Sequence, residues 1–236
     1  MKIFSAAQIK EWDAFTISNE PIATIDLMER AAVASFEWLK KHFDVDIPFS
    51  IFCGKGNNGG DGLAIARLLL ERNYFVTMHI LEFGHLGTDD FQTNLTRLHH
   101  LPAADIHFIQ SEEHLHPIPE GKIIIDAILG SGINREVEGI TASLINHMNA
   151  SGAEIVSIDI PSGLFVDTSS KEIKTVKANH TLSFQCYKMA LLIPENSASI
   201  GEVHILDIVL HKKKKKKVEL KSEIIDKEII QSIYKP

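Results

Sequence analysis

Short apolar segments alternate with amphipathic segments along most of the chain, and this alternation predicts strands separated by helices. The segments rich in β-branched and apolar residues predict strands at 49–53, 75–81, 105–109, 122–127, 154–159, 180–185 and 202–208. Three- and four-residue apolar spacing and capping residues predict helices at about 5–18, 25–42, 60–72, 89–98 and 141–150. Such an order is typical of an α/β fold in which helices cover both faces of a parallel sheet. Segment 122–127 is almost wholly apolar, so we expect it at the centre of the sheet.

The composition is that of an ordinary globular protein. The chain has 236 residues, of which 44% are hydrophobic and 23% charged, a length that suits one large α/β domain or two small ones. The net charge of −7 argues against non-specific binding of nucleic acid. A phosphate-bearing ligand would therefore have to be held by local groups such as backbone amides.

Cysteine usage and the apolar segments indicate the compartment. Cys53 and Cys186 are far apart and have no metal-binding spacing, which favours a reducing environment. The N-terminus lacks the apolar core of a signal peptide, and the apolar segments are too short to span a membrane. We therefore expect a cytoplasmic protein without a membrane partner.

The C-terminal segment differs from the rest of the chain. Residues 212–217 are six consecutive lysines, which predicts a solvated linker. We expect one domain over residues 1–210, and a lysine-rich linker over residues 211–236 that includes the start of a further domain. Residues 221–236 have the pattern of one short helix.

A glycine-rich segment follows the first long strand and precedes a helix. Residues 54–62 contain five glycines among nine positions, so backbone amides can approach a ligand closely. The following helix N-terminus adds unpaired N–H groups and a positive dipole end, which together favour an anion. Asn57, Asn58 and Asp61 add polar side chains, and the spacing matches neither a dehydrogenase fingerprint nor a P-loop. The segment predicts a phosphate cradle.

Two further strands end in an aspartate followed by a turn. Asp126 precedes the glycine-containing turn 130–132, and Asp159 begins the segment 159–163, Asp-Ile-Pro-Ser-Gly. In parallel sheets, ligands bind beyond the carboxyl ends of the strands. Taken alone, Asp126 is compatible with a loop anchor, a cation ligand or an acid/base group. The convergence of three such segments on one edge predicts a functional site.

These three segments resemble the patterns G-x-G-N-N-G-G-D-G, D-A-x-x-G-x-G and D-I-P-S-G of the NAD(P)H-hydrate epimerase family, the YjeF N-terminal domain. The resemblance covers about residues 3–208, with the motifs in the same order and at similar spacing. It implies a Rossmann-like three-layer α/β/α sandwich with a mostly parallel central sheet. It also implies a homodimer, an isomerase that interconverts (6R)- and (6S)-NAD(P)HX in nicotinamide nucleotide repair, and a fused ADP- or ATP-dependent dehydratase domain after the linker.

The resemblance also assigns roles to residues of this sequence. The pyrophosphate and ribose region of the substrate is expected to contact Asn57, Asn58, Gly59, Gly60, Asp61, Gly130, Ser131, Gly132, Ile133, Asn134, Arg135 and Glu136. Asp159 is expected to bind the reacting nicotinamide end and is our candidate catalytic residue. Asn58, Asp126 and Ser162 are expected to hold a potassium ion, because oxygen ligands with a single carboxylate suit a hard, weakly charged cation better than zinc.

The chemistry of the substrate suggests what such a site must do. The hydrate carries a hydroxyl on C6 beside the ring nitrogen, so it is a hemiaminal. Loss of water gives an iminium-like ion, and return of water to the other face gives the epimer; ring opening at the C6–N bond is the competing route. Either route needs an acid/base group at C6, and we assign that group to Asp159.

Several residues remain open at the level of sequence. Lys55 stands where many relatives carry proline, and it is as compatible with a phosphate contact as with exposure to water. Lys188 resembles a family position that orients the substrate or a loop, although a surface lysine is the favoured interpretation. We assign no role to the histidines at 99, 100, 114 and 116, and Cys53 has no identifiable histidine partner for nucleophilic catalysis.

Two alternative functions compete with the epimerase. An NAD-dependent dehydrogenase would place an acidic residue after the second strand, where Glu82 stands, but the glycine spacing is wrong for it. A non-catalytic nucleotide-binding or dimerisation module of the same fold, as in RNA-decapping scaffolds, could have lost the motif side chains. All three motifs are present here, and the acidic net charge counts against RNA.

Overall fold

A computed structural model of the protein describes residues 3–211. The strands are β1 Ile3–Phe4, β2 Phe49–Cys53, β3 Val76–Leu81, β4 Asp105–Ile109, β5 Ile123–Ala127, β6 Glu154–Ile158, β7 His180–Phe184, β8 Tyr187–Lys188 and β9 Glu202–Leu206. The α-helices are α1 Ala6–Asn19, α2 Thr24–His42, α3 Asn57–Leu70, α4 Asp89–His99, α5 Gly139–Ala150 and α6 Ser197–Ile200. Short 3₁₀ turns lie at Glu112–His114, Met189–Leu192 and Pro194–Asn196.

Seven of the strands form one parallel sheet in the order β4-β3-β2-β5-β6-β7-β9. Strand β5 occupies the central position, as its apolar sequence predicts. The chain leaves β2 towards β3 and β4 on one side, and later returns to β5 on the other side. The carboxyl ends of β2 and β5 therefore flank the topological switch point, where open α/β sheets bind ligands.

The alternation of side chains along the strands produces the two outer layers. Ile51 and Ile125 belong to one core cluster with residues of α2, α3 and α4, such as Leu63. Ile124 belongs to a second cluster with Leu144 of α5. Successive residues of one strand thus bury against opposite layers. The predicted three-layer α/β/α sandwich is confirmed.

The boundaries differ from the prediction in one place that matters. Helix α3 begins at Asn57 rather than near residue 60, so most of the glycine-rich segment forms the first turns of a helix. Glycine disfavours helices, but tertiary packing overrides this preference here: a Cβ on Gly62 would lie 2.5 Å from the Cβ of Ala127.

A small second sheet was not predicted from the sequence. Strand β1 pairs with β8 in parallel, with Phe4 opposite Lys188. Two-residue strands carry no periodic signal, so the sequence pattern could not indicate this pair. Ser5 then begins α1 with a capping box shared with Gln8, which confirms the predicted first helix. The pairing places α1 beside the strand ends of the main sheet.

Two predictions concern residues beyond this description. The lysine run 212–217 and the predicted helix 221–236 lie outside the described residues. Within residues 3–211, the helices are all too short or too polar to cross a membrane.

Candidate active site

The glycine-rich segment lies at the switch point between β2 and β5. The Gly54 N–H donates a hydrogen bond of 3.1 Å to the carbonyl of Ala127, which links the two strand ends. Helix α3 follows at once, with Gly56 as its N-cap. The first N–H groups of a helix have no acceptor within that helix. Asn57, Asn58 and Gly59 thus present amide donors at this edge, as an anion cradle requires.

Glycine is required at position 59 by close approach of the backbone. A Cβ added to Gly59 would lie 1.8 Å from the carbonyl oxygen of Gly54, whereas a Cβ added to Gly56 would meet nothing within 4 Å. We expect Gly59→Ala to lower the free energy of unfolding by about 3 kcal/mol or to displace the cradle. Gly56→Ala is the matched control, and the denaturant midpoints of both variants measure the difference. Equal midpoints and equal ligand affinity would contradict this account.

Asn58 has a buried side chain that lacks hydrogen-bond partners. Its Oδ1 and Nδ2 atoms are both buried, and neither contacts a hydrogen-bond partner among the described residues. A Cβ added to Gly130 would lie 3.1 Å from the Cβ of Asn58, so the turn after β5 packs directly against this side chain. Buried polar atoms are rarely left unsatisfied in native proteins. The unpartnered amide of Asn58 is therefore available to bind a ligand.

Asp126 is fully buried and joins two strands and two turns. Its Oδ2 accepts hydrogen bonds from Ser157 Oγ at 2.7 Å and from the Ser162 N–H at 2.8 Å. Its Oδ1 accepts from Ser162 Oγ at 2.5 Å and from the Ile128 N–H at 3.3 Å. Burial raises the pKa of Asp126, and the hydrogen bonds from Ser162, Ser157 and Ile128 partly oppose that rise. The carboxylate therefore anchors the loops, and the donors of these hydrogen bonds are neutral hydroxyl and backbone N–H groups.

Asn58, Asp126 and Ser162 therefore meet around the turn after β5. The Leu129 N–H donates to Ser162 Oγ at 2.8 Å, and Gly130 lies against Asn58. The side chains offer a carboxylate, a hydroxyl and an amide oxygen, and the amide has no other partner in the described chain. This donor set fits a hard, weakly charged cation.

Asp159 follows β6 directly and adopts a left-handed backbone, with φ of 68°. Lys188 Nζ donates to its Oδ1 at 2.6 Å and to Ser183 Oγ at 2.7 Å. The Lys188 side chain is 1% exposed, so the interpretation of Lys188 as a surface residue is wrong. Its apolar neighbours at 189–192 were the available sequence signal. Lys188 instead positions Asp159.

Asp13 of α1 belongs to the same electrostatic environment and was missed by sequence reasoning. The pKa of Asp13 is raised to about 7, chiefly by burial and then by the charge of Asp159, while Lys188 lowers it. The pKa of Asp61 is also raised, by burial first and then by Asp159, Asp13 and Asp90. Helix α1 reaches this place through the unpredicted β1–β8 pair. Asp13, Asp61 and Asp159 therefore influence one another, and Lys188 acts on Asp13 and Asp159.

Lys55 is buried, and acceptors within the protein bind its ammonium group. Its Nζ donates to both carboxylate oxygens of Glu82, at 2.5 and 2.6 Å, and to the carbonyl of His85 at 2.6 Å. The interpretation of Lys55 as a residue exposed to water is therefore wrong, and its contact with phosphate stays a prediction. The hydrogen bond from Lys55 is the main cause of the lowered pKa of Glu82. The Lys55–Glu82 pair connects the loop after β2 to the loop after β3. Glu82 is the acidic residue that a dehydrogenase would use to bind the ribose, and here it is paired with Lys55.

The remaining predicted residues form the outer side of the crevice. Gly130, Ser131 and Ile133 are half-buried, and Gly132, Asn134, Arg135 and Glu136 are exposed in the loop that follows β5. This loop lies at the carboxyl end of β5, and its contact with substrate stays a prediction. Cys53 is buried, and burial followed by the charge of Asp126 raises the pKa of its thiol, which argues against a nucleophile.

Comparisons with known proteins agree with this architecture. The family model described as YjeF-related protein N-terminus matches residues 24–190. NAD(P)H-hydrate epimerase from Limosilactobacillus fermentum is 35% identical over 205 residues, covering 86% of this chain and 95% of that protein. Its counterpart from Levilactobacillus brevis is 35% identical over 211 residues, covering 89% and 95%.

Two further matches extend the comparison to longer proteins and to solved structures. The bifunctional NAD(P)H-hydrate repair enzyme Nnr from Moorella thermoacetica is 31% identical over 220 residues, covering 90% of this chain but 41% of that protein. The crystal structure of yeast ynu0, YNL200c, has a TM-score of 0.71 at 22% identity and 87% coverage of each chain, which supports the fold. The chain belongs to the family of YjeF-related protein N-terminal domains.

Proposed function

We propose that this chain is an NAD(P)H-hydrate epimerase, an isomerase that interconverts (6R)- and (6S)-NAD(P)HX. The observation that carries the proposal is the buried Lys188–Asp159 ion pair at the carboxyl edge of the sheet, beside Asp13 and Asp61. Curated relatives of almost the same length carry that name. The site has a cradle for the phosphates and a group of carboxyls for the proton transfers.

The dinucleotide is expected to bind along the carboxyl ends of β2, β5 and β6. Amides in the first turn of α3 donate to the pyrophosphate, and the exposed Arg135 contributes a positive charge from the opposite loop. Asp126 lies on β5, and Asp159 follows β6, the neighbouring strand of the sheet. The nicotinamide end therefore reaches the carboxyl group while the phosphates remain at the cradle.

Proton transfer at C6 requires a group that holds a proton near neutral pH. Asp13, with a pKa of about 7, can donate that proton to the leaving C6 hydroxyl, which departs as water. The resulting iminium-like ion is stabilised by the negative charge of Asp159. Water then adds to the other face of C6 and returns a proton to the carboxylate of Asp13, which gives the epimer. Ring opening at the C6–N bond would use the same groups.

Asn58, Asp126 and Ser162 are the residues that would hold a potassium ion. The ion would satisfy the unpartnered amide of Asn58 and offset the charge of the buried Asp126. When bound, potassium supplies positive charge next to the phosphate cradle. The residues themselves fix the turn after β5 against the first turn of α3.

The proposal also extends to the state of the protein in the cell. We expect a cytoplasmic homodimer, since the resemblance implies one. We also propose a fused dehydratase domain, as in the bifunctional Nnr proteins, of whose length the chain spans about two fifths. The boundary near residue 210 remains a prediction.

The activity is tested by adding the protein to an equilibrated mixture of R and S NADHX with an S-specific dehydratase in potassium buffer. The dehydratase alone consumes the S form and then waits for slow spontaneous epimerisation. We expect this chain to abolish the slow phase. If the R form persists at the uncatalysed rate, the domain is a nucleotide-binding or dimerisation module, or it acts on another nucleotide.

Asp13→Asn is expected to separate activity from stability. Folding raises the pKa of Asp13 from 3.8 to about 7, so its contribution to stability is full below pH 3.8 and is lost as the pH rises through 7. Asparagine mimics the neutral form at every pH, so the variant should be more stable than the parent at pH 8. Its kcat should fall about 100-fold because the proton donor is lost.

Thermal unfolding and kcat as functions of pH measure both effects. Asp46→Asn, at an exposed position, is the matched control and should change neither. If Asp13→Asn has the pH profile of the parent in both measurements, Asp13 does not hold the proton.

A further inference from the structure

A cluster of histidine and carboxylate side chains lies at the edge of the sheet opposite the proposed active site. His180 and Glu202 are the first residues of β7 and β9, and the parallel register pairs them directly. His204 follows two positions after Glu202, so both project from the same face of β9. Asp126 and Asp159, in contrast, lie at the carboxyl ends of their strands. The two sets of residues therefore lie at opposite ends of the strands of the sheet.

The ligand atoms of the cluster converge on one point. His180 Nδ1 lies 3.2 Å from His204 Nε2. Glu202 carboxylate oxygens lie 3.9 Å from each of these nitrogens, and all three ligand atoms fall within 4.8 Å of one another. Two nitrogens bound tetrahedrally at about 2.05 Å from zinc are separated by about 3.3 Å. The imidazoles thus already have the spacing of a tetrahedral site, and the exposed Glu202 needs only a small rotation.

A neighbouring carboxylate fixes the orientation of the His180 imidazole. His180 Nε2 lies 3.1 Å from Glu154 Oε1, so its N–H donates to that carboxylate and Nδ1 keeps its lone pair. A carboxylate that orients a histidine in this way is typical of metal sites.

Trp38 of α2 forms the wall behind the cluster. Its ring centroid lies 5.2 Å from that of His180 and 4.8 Å from that of His204, and it stacks on His42 at 3.8 Å. The two histidine side chains are 22% and 19% exposed, so solvent reaches one side of the cluster. A fourth coordination position is therefore open to water.

We propose that His180, His204 and Glu202 bind a divalent transition-metal cation, of which Zn²⁺ is the best match to the two-histidine, one-carboxylate set. The ion would join the edge strand β9 to β7 at the start of both strands. Its effect is on stability, because ligand that binds only the folded state shifts the unfolding equilibrium.

The test is a titration of the tag-free, chelator-treated full chain with ZnCl₂, followed by calorimetry and thermal unfolding. We expect one equivalent to bind and the unfolding temperature to rise. His204→Gln should weaken Zn²⁺ binding at least about 100-fold, and Glu154→Gln, which removes the orienting carboxylate, about 10-fold. MgCl₂ should have no effect, because imidazole ligands do not suit it.

The controls make each outcome decisive. The double variant His99→Gln with His100→Gln removes two exposed histidines elsewhere and should bind Zn²⁺ like the parent. Glu202→Gln changes an exposed side chain, so it should fold normally and still weaken binding. The proposal is wrong if the parent leaves Zn²⁺ free at micromolar protein, or if the Glu202 and His204 variants bind as the parent does. Epimerase activity of His204→Gln should equal that of the parent, so this test does not depend on the proposed function.

Discussion

Replacement of Asp159 by asparagine is expected to lower kcat for NADHX epimerisation by about 10³-fold while the protein remains folded. The negative charge that stabilises the iminium-like ion is lost in this variant, and removal of one such electrostatic contact costs about 10²- to 10³-fold in kcat. Asparagine tolerates the left-handed backbone at this position, where φ is 68°, so the turn after β6 can persist. Its Oδ1 can still accept from Lys188 Nζ, which limits the loss in the free energy of unfolding to about 2 kcal/mol.

The measurement is coupled turnover of the R form together with circular dichroism and thermal unfolding. Asp105→Asn, at an exposed position on the edge strand β4, is the matched control and should keep full activity. Lys188→Met should also lower kcat, and the double variant with Asp159→Asn should lose little more than either single variant, because the two residues act as a unit. Wild-type turnover by Asp159→Asn would remove Asp159 from the mechanism.

The sequence predicted the sheet well because its central strands are buried and bounded by turn residues. Ile123–Ala127 could be placed at the centre, since an almost wholly apolar strand is typical of one covered on both faces. The three motifs could be assigned to one edge because parallel strands share their direction. These inferences need only local pattern and the general geometry of α/β folds.

The sequence did not predict the electrostatics of the site. The roles of Lys188 and Asp13 depend on the pairing of Phe4 with Lys188, a contact between two-residue strands far apart in the chain. The same limit applies to Lys55, whose partner Glu82 lies on a different loop. Burial of a charged residue depends on which distant partner neutralises it, and no periodic pattern records that partner.

Asp126 anchors two loops, and the potassium binding that we propose for it can be separated from this structural role by experiment. Four donors satisfy its carboxylate, so it holds the loops after β5 and β6 together. Burial nevertheless raises its pKa, which means that the charge is only partly compensated by neutral donors. A potassium ion bound with Asn58 and Ser162 would supply the missing positive charge. Stability and potassium dependence should therefore both respond to Asp126.

Asp126→Asn is expected to lower the free energy of unfolding by about 3 kcal/mol and to abolish the response to potassium. The amide has one accepting oxygen, so buried donors such as the Ser162 N–H lose their partner, at about 1–3 kcal/mol each. The parent should unfold at a higher temperature in KCl than in choline chloride of equal ionic strength. Asp126→Asn and Asn58→Ala should show no difference between the two salts.

Ser157→Ala distinguishes the loss of a hydrogen bond from the loss of the ion. Ser157 donates to Asp126 but is absent from the predicted ligand set, so its removal should lower stability by about 1 kcal/mol and preserve the potassium response. Activity titrated with KCl provides the second measurement, in which the parent should gain activity as potassium is added and Asp126→Asn should not. If the parent behaves identically in KCl and choline chloride in both measurements, these residues hold no potassium, and Asp126 serves only as the anchor of its loops.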